Sequence, residues 1–333
     1  MDHLGIAVIG LGVGRRHLEA YRKLDGVEVV AVATGTDRSA DEARDRFGVP
    51  FSTTDYRRAI DRPEVDAVSV CSPDRFHAEQ AAFALERGKH VLVEKPIATT
   101  QEDVARLVEL ADASGRCFMA GHNYRFMPQF VGLRESALGC ELGRVYLAEG
   151  SYVQDLGSLT ERGPGYWRFA DPQDFFLGAA VHLVDFLRWV GGEVAEVHAY
   201  ANHAWAPYPG DENYVAALRF ASGAIGQVVL ALGSRRTDRF RVRFALHGTD
   251  GAAEADNVSA QLLVDSPRLA DASGPRPVPA VDSFAAEVAE FVRALRQGGE
   301  PAVSVRDGAR AVAICLAAIR SAGEGRPAAV TPV

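Results

Sequence analysis

Short apolar runs separated by helix-length polar segments fill the first third of the chain. Gly5-Ile6-Ala7-Val8-Ile9 leads into Gly10-Leu11-Gly12-Val13-Gly14 and then Arg15-Arg16-His17-Leu18-Glu19, a pattern that predicts strand, tight turn and helix. A second β-branched run, Val27 to Ala33, follows one helix later, the spacing of a βαβ unit. Further strands are predicted at Ala67 to Cys71, at His90 to Val93 behind a helix from Ala78 to Arg87 capped by Gly88, and at Cys117 to Ala120. Beyond Gly121 to Asn123 the rhythm changes to period two. Runs at Val145 to Tyr152, Val194 to Trp205, Asn213 to Phe220, Ala224 to Leu232, Arg239 to His247 and Gln261 to Val264 are punctuated by Gly, Asp-Gly and Ser-Gly turns. They predict a meandering antiparallel sheet, closed by a proline-rich loop at Ser273 to Pro279 before terminal helices.

The glycine turn carries the first candidate chemistry. Without side chains the backbone reverses sharply and approaches a pyrophosphate, and free N–H groups at the helix start face its charge. Gly10, Gly12, Val13 and Gly14 are therefore expected cofactor contacts. The dinucleotide fingerprint places its third glycine three residues after the second, which here is Arg15, with Gly14 one place early; the turn is expected to be one residue tighter. After the second strand, where such folds carry an acid for the ribose hydroxyls, stands Thr34, followed by Gly35-Thr36-Asp37-Arg38. Missing carboxylate and nearby guanidinium lean towards NADP over NAD, with Thr34 and Arg38 as contacts. Two alternatives stay open: Asp37 reaching the ribose, or Thr34 and Arg38 simply starting the helix that runs through Ala43, Arg44 and Phe47.

The next two strands end in Ser72-Pro73-Asp74-Arg75-Phe76-His77 and in Glu94-Lys95-Pro96. Ligands bind at the carboxyl ends of parallel strands, which makes Ser72, Pro73, His77, Glu94, Lys95 and Pro96 cofactor neighbours. His77 reads equally as a first-turn helix residue. Lys95 is placed where a reactive ring lies, with a surface salt bridge to Glu94 as the alternative.

Bulk numbers narrow the class. The 333 residues suit two domains of about 100–200 residues each. Hydrophobic content of 47% and charged content of 24% are those of a globular protein. A net charge of −8 and a pI near 5.6 argue against nucleic-acid or anionic-membrane partners. Arg235, Arg236, Arg239, Arg241 and Arg243 are dense, but their alternation from Arg239 onward suggests the outer face of a strand. Cys71, Cys117, Cys140 and Cys315 are scattered, with no CxxC and no Cys/His cluster at metal spacing, so neither disulfide framework nor metal site is expected. The amino terminus runs straight into the first strand and no stretch approaches the ~18 apolar residues that cross a bilayer. A cytoplasmic location is expected.

The run Ala78 to Thr99, with Ala-Leu-Glu-Arg-Gly-Lys-His-Val-Leu-Val-Glu-Lys-Pro, resembles the Gfo/Idh/MocA family of oxidoreductases. The resemblance extends to His122-Asn123-Tyr124-Arg125-Phe126, to Trp167-Arg168, to His182-Leu183-Val184-Asp185, and to a closing segment, Phe284 to Val330, of two amphipathic helices and a short strand. It implies a Rossmann NAD(P)-binding domain over 1–121. A substrate-binding α/β domain over 122–333 follows, built on a large open, mostly antiparallel sheet, with terminal helices that can pack back on the first domain. That sheet is often the dimer face, so a homodimer or homotetramer is expected.

Family membership also implies hydride transfer between nicotinamide C4 and the carbinol carbon of a sugar, cyclitol or related alcohol. Such a reaction needs a base and a group that stabilises alkoxide charge. His182 is the base, imidazole being the one side chain whose unperturbed pKa lies near neutrality; Lys95 is the donor to the substrate oxygen. The family's aspartate four residues before this histidine is Gly178 here, and the segment from Asp174 to His182 is shorter than in relatives. Asp185, three residues on, either orients the ring or is structural; Asp174 is a weaker substitute. Asn123, Arg125, Tyr152, Trp167, Arg168 and His182 form the substrate side, with core packing the alternative for Tyr152 and Trp167. The loop from Trp205 to Tyr214, with Asp211 and Glu212, borders the pocket or a subunit contact. Two other readings remain: a non-catalytic nucleotide-binding regulator, and an enzyme that recycles its nicotinamide within one turnover.

Overall fold

The computed structural model describes residues 3–139, 141–157, 166–170, 173–204, 208, 210–234, 240–259, 261–267 and 273–333. The chain forms two compact units, Met1–Asn123 with Asp282–Val312 and Val333, and Tyr124–Val281 with Ala313–Pro332.

In the first unit, β1 (Leu4–Ile9), β2 (Val27–Ala33), β3 (Phe51–Thr53), β4 (Ala67–Val70), β5 (His90–Glu94) and β6 (Phe118–Gly121) make one sheet in the order β3-β2-β1-β4-β5-β6. Every pairing is parallel. Helices cover both faces of such a sheet, so its central strands read as continuous apolar runs; all six residues of β1 are buried. Strand order reverses between β1 and β4, the place where open α/β sheets bind ligands beyond their carboxyl ends. The helix Ser283–Gln297 packs on the helix Gly14–Tyr21 that follows β1. Asn123, expected on the substrate side, donates from Nδ2 to Ser283 Oγ at 3.1 Å and anchors that helix's first turn.

In the second unit, β7 (Val145–Gln154), β8 (Val194–Asn202), β9 (Asn213–Phe220), β10 (Ile225–Ala231), β11 (Phe240–Gly248), β12 (Gly251–Asp256), β13 (Gln261–Asp265), β14 (Gly274–Pro277) and β15 (Ala328–Ala329) form a sheet in the order β14-β13-β12-β11-β7-β10-β9-β8-β15. The expected simple meander is corrected at one place: β7 lies between β11 and β10 and pairs parallel with β10, while the other pairings are antiparallel. The helices Pro128–Leu138 and Val181–Gly191 pack on the inner face. Phe130 meets Phe244 edge-on at 4.8 Å, and Phe186 lies 4.1 Å from Phe244.

The proline-rich stretch expected to be a loop contains β14, which among the described residues pairs with β13 alone; an edge position tolerates Pro275 and Pro277 because their missing N–H groups are not required by a second neighbour. Arg241 and Arg243 lie on β11 and reach Asp256 and Glu254 on β12. Arg235, Arg236 and Arg239 lie outside the described residues, as do Cys140 and Trp205.

Candidate active site

The glycine turn is built as three different solutions to crowding. Gly10 has φ +92°, and a Cβ there would sit 2.6 Å from the Cys71 carbonyl oxygen; only glycine combines that backbone with that neighbour. A Cβ on Gly14 would meet Val8 Cγ1 at 3.0 Å and Cys71 Cβ at 3.1 Å, so this glycine lets the helix approach the sheet. Gly12 faces open space, with nothing within 4 Å of its would-be Cβ. Val13 provides no side-chain cap, and the first turn of the helix holds no acid. Its orphan N–H groups and dipole are available to an anion. These residues fit a dinucleotide pyrophosphate: one glycine makes the turn, one leaves room for phosphate, and one seats the helix.

At the ribose end, Thr34 is buried and donates from Oγ1 to the Thr36 carbonyl at 2.8 Å. Thr36, not Thr34, caps the helix Asp37–Phe47, accepting from Ser39 N at 3.3 Å. Arg38 is exposed on the first turn of that helix. Ser72 donates to Gln80 Oε1 at 2.7 Å, and Pro73 precedes a single 3-10 turn. His77 opens the helix His77–Glu86, with its ring nitrogens 2.7 Å from the carbonyl oxygens of Ser72 and Pro96. That buried ring braces the β4 end against the β5 end and spends its polar edge inside the protein. The Lys95–Pro96 peptide is cis.

Behind Lys95 lies a buried polar cluster. Glu94 Oε1 stands 3.1 Å from His17 Nε2, and Glu94 Oε2 accepts from the Lys95 backbone N–H at 3.2 Å. His17 Nδ1 is 3.2 Å from Ser69 Oγ, which is 2.9 Å from the Tyr21 hydroxyl. Glu287, on the helix Ser283–Gln297, approaches from the other side with Oε2 3.9 Å from His17 Nε2. Burial pushes the Glu94 carboxyl up, but the His17 hydrogen bond, with Lys95 and His77 nearby, outweighs it and holds Glu94 below the usual carboxylate range. Glu287 goes the opposite way: burial first, then the Glu94 charge, raise it well above that range, with Lys95 opposing. The buried, internally bonded Glu94 is therefore a support for the Lys95 corner, and not the surface pair that was its alternative.

In the second unit a π-helical turn, Phe176–Ala180, feeds the helix Val181–Gly191 and places Gly178 inside the turn. His182 is buried at the start of this helix. The Tyr124 ring stacks on it, centroids 4.1 Å apart and planes 13° from parallel. Asp185 accepts from Arg125 Nε at 2.8 Å and Nη2 at 2.6 Å, and both side chains are buried. The Arg125 guanidinium, held on this carboxylate, also lies 5.1 Å from the Trp189 ring. The Asp185 carboxylate serves this buried pair.

Tyr152 donates to Gln154 Oε1 at 3.0 Å and lies edge-on to Phe240 at 5.0 Å. Loss of solvent pushes its phenol up to about 12, against the Arg168 charge. Arg168 sits half-buried in a short helix, Trp167–Ala170, over the Phe175 ring at 6.0 Å; the Trp167 side chain lies outside the described residues. Asp174 accepts from Phe176 N at 2.7 Å and from the Tyr214 hydroxyl at 2.6 Å, and burial raises its carboxyl. It secures the entrance of the π turn. Glu212 is buried and accepts from Ala204 N at 2.7 Å and Asn213 Nδ2 at 3.0 Å, with His203 Nδ1 2.9 Å away. It supports its own loop.

Three residues of this arrangement received no role from sequence. His17 and Tyr124 lie inside motifs whose neighbours drew the attention. Glu287 reads as a solvent-facing acid on an amphipathic helix, yet it falls beside Val288 and one turn before Phe291, on the stripe that is buried; an acid on that stripe is the signal that finds it.

The family description "Oxidoreductase family, NAD-binding Rossmann fold" matches residues 4–122, and the GFO/IDH/MocA C-terminal domain matches residues 133–254. The chain is 26% identical to levoglucosan dehydrogenase of Pseudarthrobacter phenanthrenivorans, with 97% of each chain covered. It is 30% identical to myo-inositol 2-dehydrogenase of Thermotoga maritima over 96% of this chain and 97% of that one. A solved structure of levoglucosan dehydrogenase in complex with NADH and L-sorbose superposes with a TM-score of 0.90 at 27% identity, covering 100% of both chains.

Proposed function

We infer that this chain, which belongs to the Gfo/Idh/MocA family of oxidoreductases, is a nicotinamide-dependent dehydrogenase or reductase acting on a secondary alcohol or ketone of a sugar, cyclitol or sugar derivative. The observation that carries this reading is the Gly10-Gly12-Gly14 cradle at the reversal of strand order, with Lys95 at the end of a strand of the same sheet. The relatives above act, by their names, on an anhydro sugar and on an inositol, which supports a ring polyol as substrate class.

The nicotinamide, when bound, takes up or supplies the hydride. His182 removes the hydroxyl proton in oxidation and returns one in reduction. Lys95 presents an N–H donor to the same oxygen as charge develops on it. Tyr152 and Arg168 are substrate-side groups whose phenol and guanidinium suit a hydroxylated ligand. At the ribose end, Thr34 in place of an acid and the exposed Arg38 favour NADP(H) slightly, while the solved relative holds NADH.

Outward-facing Tyr200, Val215 and Ile225, exposed at 68%, 49% and 56% on neighbouring strands β8, β9 and β10, support a homodimer or homotetramer contact on that sheet face. Cys71, Cys117 and Cys315 are free thiols and among the described residues no helix is long and apolar enough to cross a membrane; both support a place in the cytoplasm. Titration of NADH and NADPH separately into the purified protein, followed by nicotinamide fluorescence, tests the reading. Saturable binding of at least one is expected, and binding of neither removes the enzyme reading.

A further inference from the structure

Tyr21, Ser69, His17 and Glu94 form one line of buried hydrogen bonds in which each side chain can donate to the next. Tyr21 Oη to Ser69 Oγ is 2.9 Å, Ser69 Oγ to His17 Nδ1 is 3.2 Å, and His17 Nε2 to Glu94 Oε1 is 3.1 Å. Run in that direction, the line ends on a carboxylate and needs only a neutral imidazole with its proton on Nε2. Glu94's second oxygen is held by the Lys95 backbone N–H. His17 therefore fixes a carboxylate that is bonded to the lysine's own peptide.

Glu287 is fully buried, and neither of its carboxyl oxygens has a hydrogen-bond partner among the described residues. An ionised carboxylate in that state is heavily disfavoured, and a second negative charge beside Glu94 is disfavoured again. Lys95 acts electrostatically on both carboxyls. The groups that face this pair are His17 and Tyr21 from the helix Gly14–Tyr21, Cys71 after β4, His77 from its helix, and Lys95 itself.

We propose that His17 is a positioning residue for Lys95: its Nε2–H holds Glu94 as an oriented carboxylate beside the lysine's own peptide, with the buried Glu287 completing the cluster, so that a fixed negative charge stands near the Lys95 ammonium. The catalytic meaning of this arrangement rests on the reading of Lys95 as the donor to the substrate oxygen; the geometry does not. Remove the His17 N–H, and burial makes Glu94 take up a proton. Lys95 then loses that nearby negative charge and gives up its own proton at lower pH.

The test is the pH dependence of Lys95 acetylation by acetic anhydride in the full chain, read peptide by peptide by mass spectrometry. In His17→Leu the midpoint for Lys95 is expected to fall by about one pH unit or more, a tenfold loss of proton affinity. His17→Gln, whose amide N–H can still donate to Glu94, should restore most of the shift. Glu94→Gln removes the charge directly and should reproduce the fall, which keeps the test open should His17→Leu fail to fold. Glu287→Gln exchanges one neutral group for another and should leave the midpoint in place.

A midpoint unmoved in both His17→Leu and Glu94→Gln overturns the proposal. So does a fall in Glu287→Gln as large as that in Glu94→Gln, which would make Glu287 ionised. One equivalent of bound metal in the purified protein, lost in Glu287→Gln, would overturn it in favour of a metal site, since the three side chains place ligand atoms within 4.8 Å of one another. Should the midpoints move as expected while Lys95→Met turns over at the wild-type rate, the positioning stands and the catalytic reading of Lys95 fails.

Discussion

Arg125 grips both carboxylate oxygens of Asp185, at 2.8 and 2.6 Å, with neither side chain open to solvent. A bidentate pair of this kind is geometrically specific, and removing one partner strands a buried charge. Asp185→Leu or Arg125→Met is expected to lower the free energy of urea unfolding by about 3–5 kcal/mol. The double substitution should cost less than the sum of the two. Full stability in either single variant would show that the pair contributes nothing.

The three turn glycines should fail in different ways. Gly12→Val adds atoms only to open space; the folded state should keep its melting temperature while cofactor affinity falls at least about tenfold as the cradle fills. Gly10→Ala forces a side chain at φ +92° against the Cys71 carbonyl, so its first effect is on stability, by about 1 kcal/mol or more. Thermal melts and NADH titrations on both variants separate the two effects. Equal loss of stability in both would show that Gly12 is a folding residue.

Tyr124 and His182 stack at 4.1 Å. If this contact holds the imidazole at its working angle, Tyr124→Leu should lower kcat by about 2–10-fold, the value of an aromatic pair, with KM changed much less. Tyr124→Phe keeps the stack and should stay close to wild type. A wild-type kcat in Tyr124→Leu would assign the ring to packing alone.

Glu287 gives a pH prediction with a definite sign. Its proton is held more tightly in the folded protein than in the unfolded chain, so its contribution to stability is complete below the unfolded carboxyl range and is lost as pH rises towards the raised folded value. Within that window the loss runs at up to about 1.4 kcal/mol per pH unit. Glu287→Gln cannot ionise, so its melting temperature relative to wild type should climb between pH 5 and pH 9. A constant difference across that range would mean that Glu287 is not held as an acid.

Residues whose neighbours lie close in sequence were the legible ones. The first unit's strands follow from apolar runs, and the glycine turn from its own spacing, because a βαβ unit is a local pattern. The residues whose surroundings stayed hidden all have distant partners. Arg125 and Asp185 are 60 positions apart, and an arginine in a family motif looks the same whether it meets substrate or a buried aspartate. His17, Glu94 and Glu287 come together from helix, strand and a much later helix, a meeting that no local window contains. The parallel pairing of β7 with β10 is hidden for the same reason, since period-two patterning gives a strand's faces but not its neighbours.

The most direct test follows nicotinamide absorbance while wild type, Lys95→Met and His182→Asn are each incubated with NAD+ or NADP+ and a panel of cyclitols, pyranoses and anhydro sugars. Reduced cofactor should accumulate in proportion to substrate with wild type. It should form about 10²–10⁴-fold more slowly in each variant, while cofactor titrations of all three proteins agree within twofold. Turnover at the wild-type rate in both variants would contradict the account.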